Sequence, residues 1–184
     1  MTTVNGLPAH VLLVHAIVVL LPLAALLLVL SALWPAARGK LAGPNAILAV
    51  LVVVLVPITT DAGEWLERRV ASTPAVRTHT ELGDTALWVA IPVAVLALLV
   101  WWRRRESLQS QAADTKSTGS AAVTTRRRTY LAPASTAVTV VLSTLSIAAA
   151  GAAFYDIYRI GDSGAQASWP GQFTSTPAPR GPSR

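Results

Sequence analysis

The chain contains no cysteine. That absence excludes disulfides, thiolate metal sites, cysteine nucleophiles and cysteine-ligated iron–sulfur clusters. Charge is scarce too: 13% of the 184 residues are charged and 53% are hydrophobic, with a mean hydropathy of +0.52. A soluble domain carries roughly 25% charged residues, so this balance points to lipid as the main solvent. Also missing are a nucleophile motif, a phosphate-binding glycine loop and a zinc-protease helix, which leaves catalysis without support. The opening "MTTVNGLPAH" has no basic segment, and the apolar run after it exceeds the roughly 7–15 residues of a signal-peptide core. A retained membrane helix is expected there.

The formal net charge is +6. A nucleic-acid partner does not follow, because the basic residues cluster as "WWRRRES" and "TTRRRTY", each abutting an apolar run. Such clusters hold helix ends at a membrane and meet anionic headgroups. The expected partner is the lipid bilayer, and the expected location is the cell membrane.

A helix rises about 1.5 Å per residue, so a hydrocarbon core of about 30 Å takes about 20 residues to cross. Four segments meet that length, at about 9–34, 44–70, 79–102 and 130–158. The fold class is therefore all-α, a four-transmembrane-helix bundle over residues 5–165. Pro44 suits the first turn of the second helix, and Pro57 is a candidate kink within it. Residues 106–128 read as a flexible cytoplasmic loop and 168–184 as a disordered tail. In the fourth helix Ser135, Thr139 and Ser143 recur at every fourth position, as do Ala149 and Ala153. Small residues so spaced let helix backbones approach closely.

Sidedness follows from counting charges. Arg38, Lys40, Arg103, Arg104, Arg105, Lys116 and Arg126–Arg128 lie in the loops after helices one and three, nine basic residues against two acids. The other side has six basic residues against seven acids. The positive-inside rule puts the basic loops in the cytoplasm and both termini outside. Trp34, Trp101 and Trp102, with Arg103, Arg104 and Arg105, would mark the cytoplasmic interface.

There are three histidines, and a ruler brings them together. Measured from Trp34, His15 lies about 28 Å along its helix and His10 about 36 Å, while His79 lies about 34 Å from Trp102. From Pro44, Asp61 falls at about 26 Å and Glu64 at about 30 Å. All five groups thus reach one layer, the outer edge of the bilayer. His10 and His15 are five residues apart, about 140° around a helix, so they cannot share one metal as an i,i+4 pair does. Asp61 and Glu64 share a face, and Arg68 follows Glu64 by four, which allows an ion pair.

Each group also has a purely structural reading. His10 then sits among headgroups, His15 is a neutral ring bonded to a neighbour, and His79 opens its helix. Asp61 and Glu64 then solvate a helix end, and Glu81 and Asp84 complement a helix dipole.

In order along the chain, "GLPAHVLLVHAIVVLLPLAAL", "PITTDAGEWLE", "THTELGD" and "YRIGDSGAQASW" resemble the actinobacterial branch of the bacterial membrane-protein family called domain of unknown function 2231. The resemblance covers roughly residues 5 to 169. It implies a four-helix membrane domain with recurrent histidines at the starts of helices one and three, matching His10, His15 and His79. Some relatives are fused to Rieske iron–sulfur domains, which implies a respiratory setting and respiratory-chain partners. Some relatives carry histidine where this chain has Asp162.

Three functional classes follow. One is a redox-associated accessory protein holding haem b or a quinone, with His79 paired to His15 or His10. A second is a divalent-metal site made by His10, His15 and His79 with Asp61 or Glu64. The third is a cofactor-free structural or assembly protein. Transport has less support, because the cytoplasmic halves of the helices lack ionisable residues.

Overall fold

A computed structural model describes residues 3–4, 6–117, 131 and 135–169. Strands β1 (Thr3–Val4) and β2 (Leu7–Pro8) form a short antiparallel ribbon, turned at Gly6 with φ of 81°. Five helices follow: α1 (Ala9–Leu33), α2 (Pro35–Glu67), α3 (Pro74–Gly83), α4 (Ala86–Ser117) and α5 (Thr136–Ser168). Four stretches are long and apolar enough to cross a bilayer: Ala9–Leu33, Pro35–Glu67, Pro74–Ala112 and Thr136–Ser168.

One residue separates α1 from α2. Trp34 is extended, with φ −114° and ψ 112°, because a residue before proline is pushed out of the helical region. Pro35 then opens α2 at its first position, where a missing N–H costs nothing. The second helix therefore begins at Pro35 and not at Pro44, and both Pro44 and Pro57 lie inside it.

The single helix expected over 79–102 is two, α3 from Pro74 and α4 from Ala86, separated at Asp84 and Thr85, and other boundaries also differ from expectation. Residues 106–117, expected as loop, continue α4, because "RRRESLQSQAAD" is rich in good helix formers. Residues 118–130 of the expected loop lie outside the described residues. The last helix starts at Thr136, capped by the Ser135 side chain accepting from Val138 N–H, and runs to Ser168 through Gly161 and Gly164. Of the expected tail, residues 170–184 lie outside the described residues.

Each long helix buries a stripe at three- and four-residue spacing. On α1 it is Ile17, Leu21, Ala24, Ala25, Leu28 and Ala32; on α2 it is Ala42, Ala46, Ala49, Val52 and Val56. On α4 it is Ala86, Ala90, Val93, Ala97 and Val100, and on α5 Leu142, Ser146, Ala150, Ala153 and Ile157. Alanine and serine dominate these seams, so the helices approach closely. The helices ring the core in the order α1, α2, α4, α5, and α3 packs on α5.

Antiparallel order is fixed by contacts at both ends. At one end Ser143 on α5 donates to the Ala32 carbonyl of α1 (3.4 Å), and Arg103 on α4 donates to the Ser135 carbonyl and to Thr139 Oγ1 (both 2.8 Å). Arg38 caps the end of α1 there, donating to the carbonyls of Ser31 (2.8 Å) and Ala32 (2.5 Å). At the opposite end His10 meets α2 and His79 meets α5.

The expected interface residues divide. Trp34 and Trp102 are exposed, whereas Trp101 lies over Gly43, with Arg105 5.1 Å from its ring. Arg103 is turned inward and only 4% exposed. A helix end rich in arginine leaves carbonyls of the next helix's first turn within its reach, and this side chain takes them.

Candidate functional site

The site lies where the start of α1, the end of α2, α3 and the end of α5 meet. His10 Nδ1 is 3.0 Å from the Thr59 carbonyl oxygen. A carbonyl only accepts, so Nδ1 carries the hydrogen. The carbonyl's second lone pair makes this possible within a helix.

His79 is held in the same way from α5. Its Nδ1 lies 3.1 Å from Ser163 Oγ, and that hydroxyl is already donating to the Ile160 carbonyl at 2.9 Å. With the hydroxyl hydrogen used, His79 Nδ1–H is the donor. With Nδ1 so engaged, the neutral form of each ring has Nε2 as its acceptor nitrogen, and Nε2 has no partner among the described residues.

Each imidazole also rests on a glycine. A Cβ on Gly63 would stand 3.0 Å from His10 Cε1, and one on Gly164 would stand 3.0 Å from His79 Cε1. Glycine within a helix normally costs about 1 kcal/mol relative to alanine; here it makes the space that lets each ring reach its acceptor. The two ring centroids are 6.3 Å apart, with planes inclined at 75°.

The pair borders a cleft of about 620 Å³. Its wall is mainly apolar or small: Val11, Val14 and Val18 of α1, Val76 of α3, and Ile160, Gly161 and Ala165 of α5. Trp169 stands at the end of α5, against the same space. A second cavity of about 40 Å³ lies against both histidines on the side of Val56, Ala86 and Ile157.

The five residues expected at one layer are not equally close. His10 and His79 come together. His15 lines the cleft but is exposed, and its Nδ1 donates to the Val11 carbonyl of its own helix (2.5 Å). Glu64 lines the cleft and is exposed, with Arg68 3.6 Å away as its spacing allows. Asp61 is exposed. Among the described residues no group of three His, Cys, Asp or Glu side chains could hold a metal ion.

Four residues of this arrangement carry no signal of a role in the sequence pattern: Thr59, Gly63, Ser163 and Gly164. The glycines were visible as breaks in otherwise helical runs, "DAGEW" and "DSGAQ". The carbonyl of Thr59 has no sequence signature at all.

No protein-family model, no curated protein and no solved structure matches the chain, so the family resemblance rests on its quoted motifs alone.

Proposed function

We propose that this is a multi-pass membrane protein, with the histidine end facing outward, that binds haem b between His10 and His79 as a redox accessory to other membrane proteins. What supports the binding reading above all is the pair of fixed tautomers. Metal-bound imidazoles characteristically donate their second ring nitrogen to a carbonyl or similar group, which orients the ring. Both rings here do so through Nδ1.

The spacing agrees. Two imidazoles that shared one metal, each bonded at about 2.0–2.1 Å, would have centroids roughly 6 Å apart. The observed centroid separation is 6.3 Å. Haem would supply electron transfer when bound; His10 and His79 would hold it through Nε2, and the cleft wall, valines and glycines with Glu64, Glu67 and Asp84 among them, would set its surroundings. The outward orientation is supported by Arg38, Lys40 and Arg103–Arg105 at the opposite end of the bundle. The resemblance to a family with Rieske-fused members agrees with a respiratory setting.

A quinone is the second reading. It is favoured by the apolar wall running down α1 past His15 to Val18, which suits a long apolar tail. The His and carboxylate metal site has less support, since Asp61 and Glu64 do not join the pair.

The test is a spectrum of detergent-solubilised protein produced with haem supplied. A Soret band that shifts with dithionite, and is lost in His79→Ala and His10→Ala, is the expected result. A colourless protein unchanged by dithionite contradicts the haem reading and leaves quinone binding, or an inert bundle, to be tested by ligand extraction.

A further inference from the structure

Two buried acids lie outside the cleft: Glu106 on α4, which accepts from the Leu131 N–H, and Asp156. Asp156, on α5, is 7% exposed and shares the buried seam with Ala153, Ile157 and Ile160. Its Oδ2 is buried and has no hydrogen-bond partner among the described residues. Its Oδ1 lies 2.7 Å from Thr85 Oγ, and that same hydroxyl lies 2.6 Å from the Leu82 carbonyl oxygen.

These two contacts require more hydrogen than threonine owns. Both are within the range of an O–H···O bond, and a hydroxyl has a single hydrogen to give. Leu82's carbonyl can only accept. If the Thr85 hydrogen points at Leu82, the 2.7 Å contact to Asp156 needs its hydrogen from the carboxyl. If it points at Asp156, two acceptor oxygens face each other at 2.6 Å with nothing between them.

Charge leads to the same assignment. No ion pair reaches Asp156 among the described residues. The titratable groups at this end of the helices packed against α5 are His10 and His15 on α1, Arg77, His79 and Glu81 on α3, and Asp84 at its corner with α4. Arg77 is exposed and donates to Ser72 Oγ at 3.4 Å, and the arginines of α4 lie at the opposite end of the bundle. On its own helix, Arg159 is exposed and lies 5.8 Å from the Tyr155 ring, while Asp162 is bonded to Gln166. An ionised carboxylate would therefore be buried with one oxygen bare and no cation beside it, which is costly.

We propose that Asp156 is a proton-binding site inside the bundle, its carboxyl carrying a hydrogen and donating it to Thr85 Oγ. The site lies seven residues from Ser163, about 10 Å along α5, and so one layer inward of the histidine pair. Thr85 stands at the corner between α3 and α4, and α3 carries His79. The proton therefore ties α5 to the corner that positions one imidazole. Losing it would leave Thr85 one hydrogen for two acceptors, the Leu82 carbonyl and the Asp156 carboxylate. The assignment holds whether or not a cofactor occupies the cleft.

Infrared spectroscopy of protein labelled with carboxyl-¹³C aspartate tests this at neutral pH. The expected result is a carbonyl stretch of a protonated carboxyl that carries the isotope shift. The band should disappear in Asp156→Asn, which keeps a donor toward Thr85, and move to higher frequency in Thr85→Val, which removes the acceptor. Labelled wild-type protein with carboxylate bands only would overturn the proposal, and that spectrum needs no variant to fold. A band unmoved in Thr85→Val would overturn the pairing with Thr85.

Discussion

The His79 ring lies against Gly164, whose absent Cβ would fall 3.0 Å from its Cε1. Gly63 stands in the same relation to His10. Each imidazole is thus positioned by a hydrogen bond on one side and by missing atoms on the other.

Alanine at these glycines should therefore behave unlike alanine elsewhere. At Gly151 or Gly161, where a Cβ meets nothing within 4 Å, substitution should stabilise by about 0.5–1 kcal/mol through helix propensity. At Gly63 and Gly164 the ring must shift by a few tenths of an ångström, and that gain should vanish or reverse by about 1 kcal/mol. Thermal midpoints of the four variants in one detergent check this. Equal stabilisation at all four would show that the rings do not depend on the glycines.

Ser163→Ala removes the acceptor for His79 and should cost about 1–2 kcal/mol. Because the two side chains act as a pair, their effects should not add. A double-mutant cycle with His79→Ala should give a coupling of roughly 1 kcal/mol, measured by thermal or denaturant unfolding. A coupling near zero would mean that the hydrogen bond is not made.

At the opposite end, Arg103 and Arg105 look alike in sequence and differ in place. Arg103→Ala removes donors to Ser135 and Thr139 and should destabilise by about 2–3 kcal/mol. Arg105→Ala loses only a stack on Trp101 and should cost about 0.5 kcal/mol. Lysine at position 103 should recover part of the loss, since one ammonium replaces a planar fork.

The lack of native cysteine makes sidedness directly measurable. A membrane-impermeant thiol reagent should label Ser72→Cys in intact cells, and Lys40→Cys only after permeabilisation. Both positions are exposed. The reverse pattern would invert the proposed orientation.

Much of this was legible in the residues, and the failures have physical causes. Apolar length revealed four helices long enough to cross a bilayer, and rise per residue brought His10 and His79 to one level, where they meet. Depth is not azimuth, however. His15 and Asp61 lie near the same end, but side-chain direction depends on how each helix is rotated against its neighbours, which a single-chain ruler does not contain. Pro44 looked like the better helix start because the polar "ARGK" before it resembled a loop; Trp34 and Pro35 confine the turn to a single residue. Nothing in "FYDIY" marks Asp156 as buried, since an acid near a helix end normally reaches water. Its burial arises from packing against the α3–α4 corner, a contact between residues 71 positions apart.

The central claim is that His10 and His79 together hold one haem, and haem titration into purified protein tests it most directly. Wild-type protein and His15→Ala should each bind one equivalent with the spectrum of a six-coordinate, two-histidine iron. His10→Ala and His79→Ala should each lose that spectrum. Retention of two-histidine ligation in either of those variants, or its loss in His15→Ala, would contradict the account.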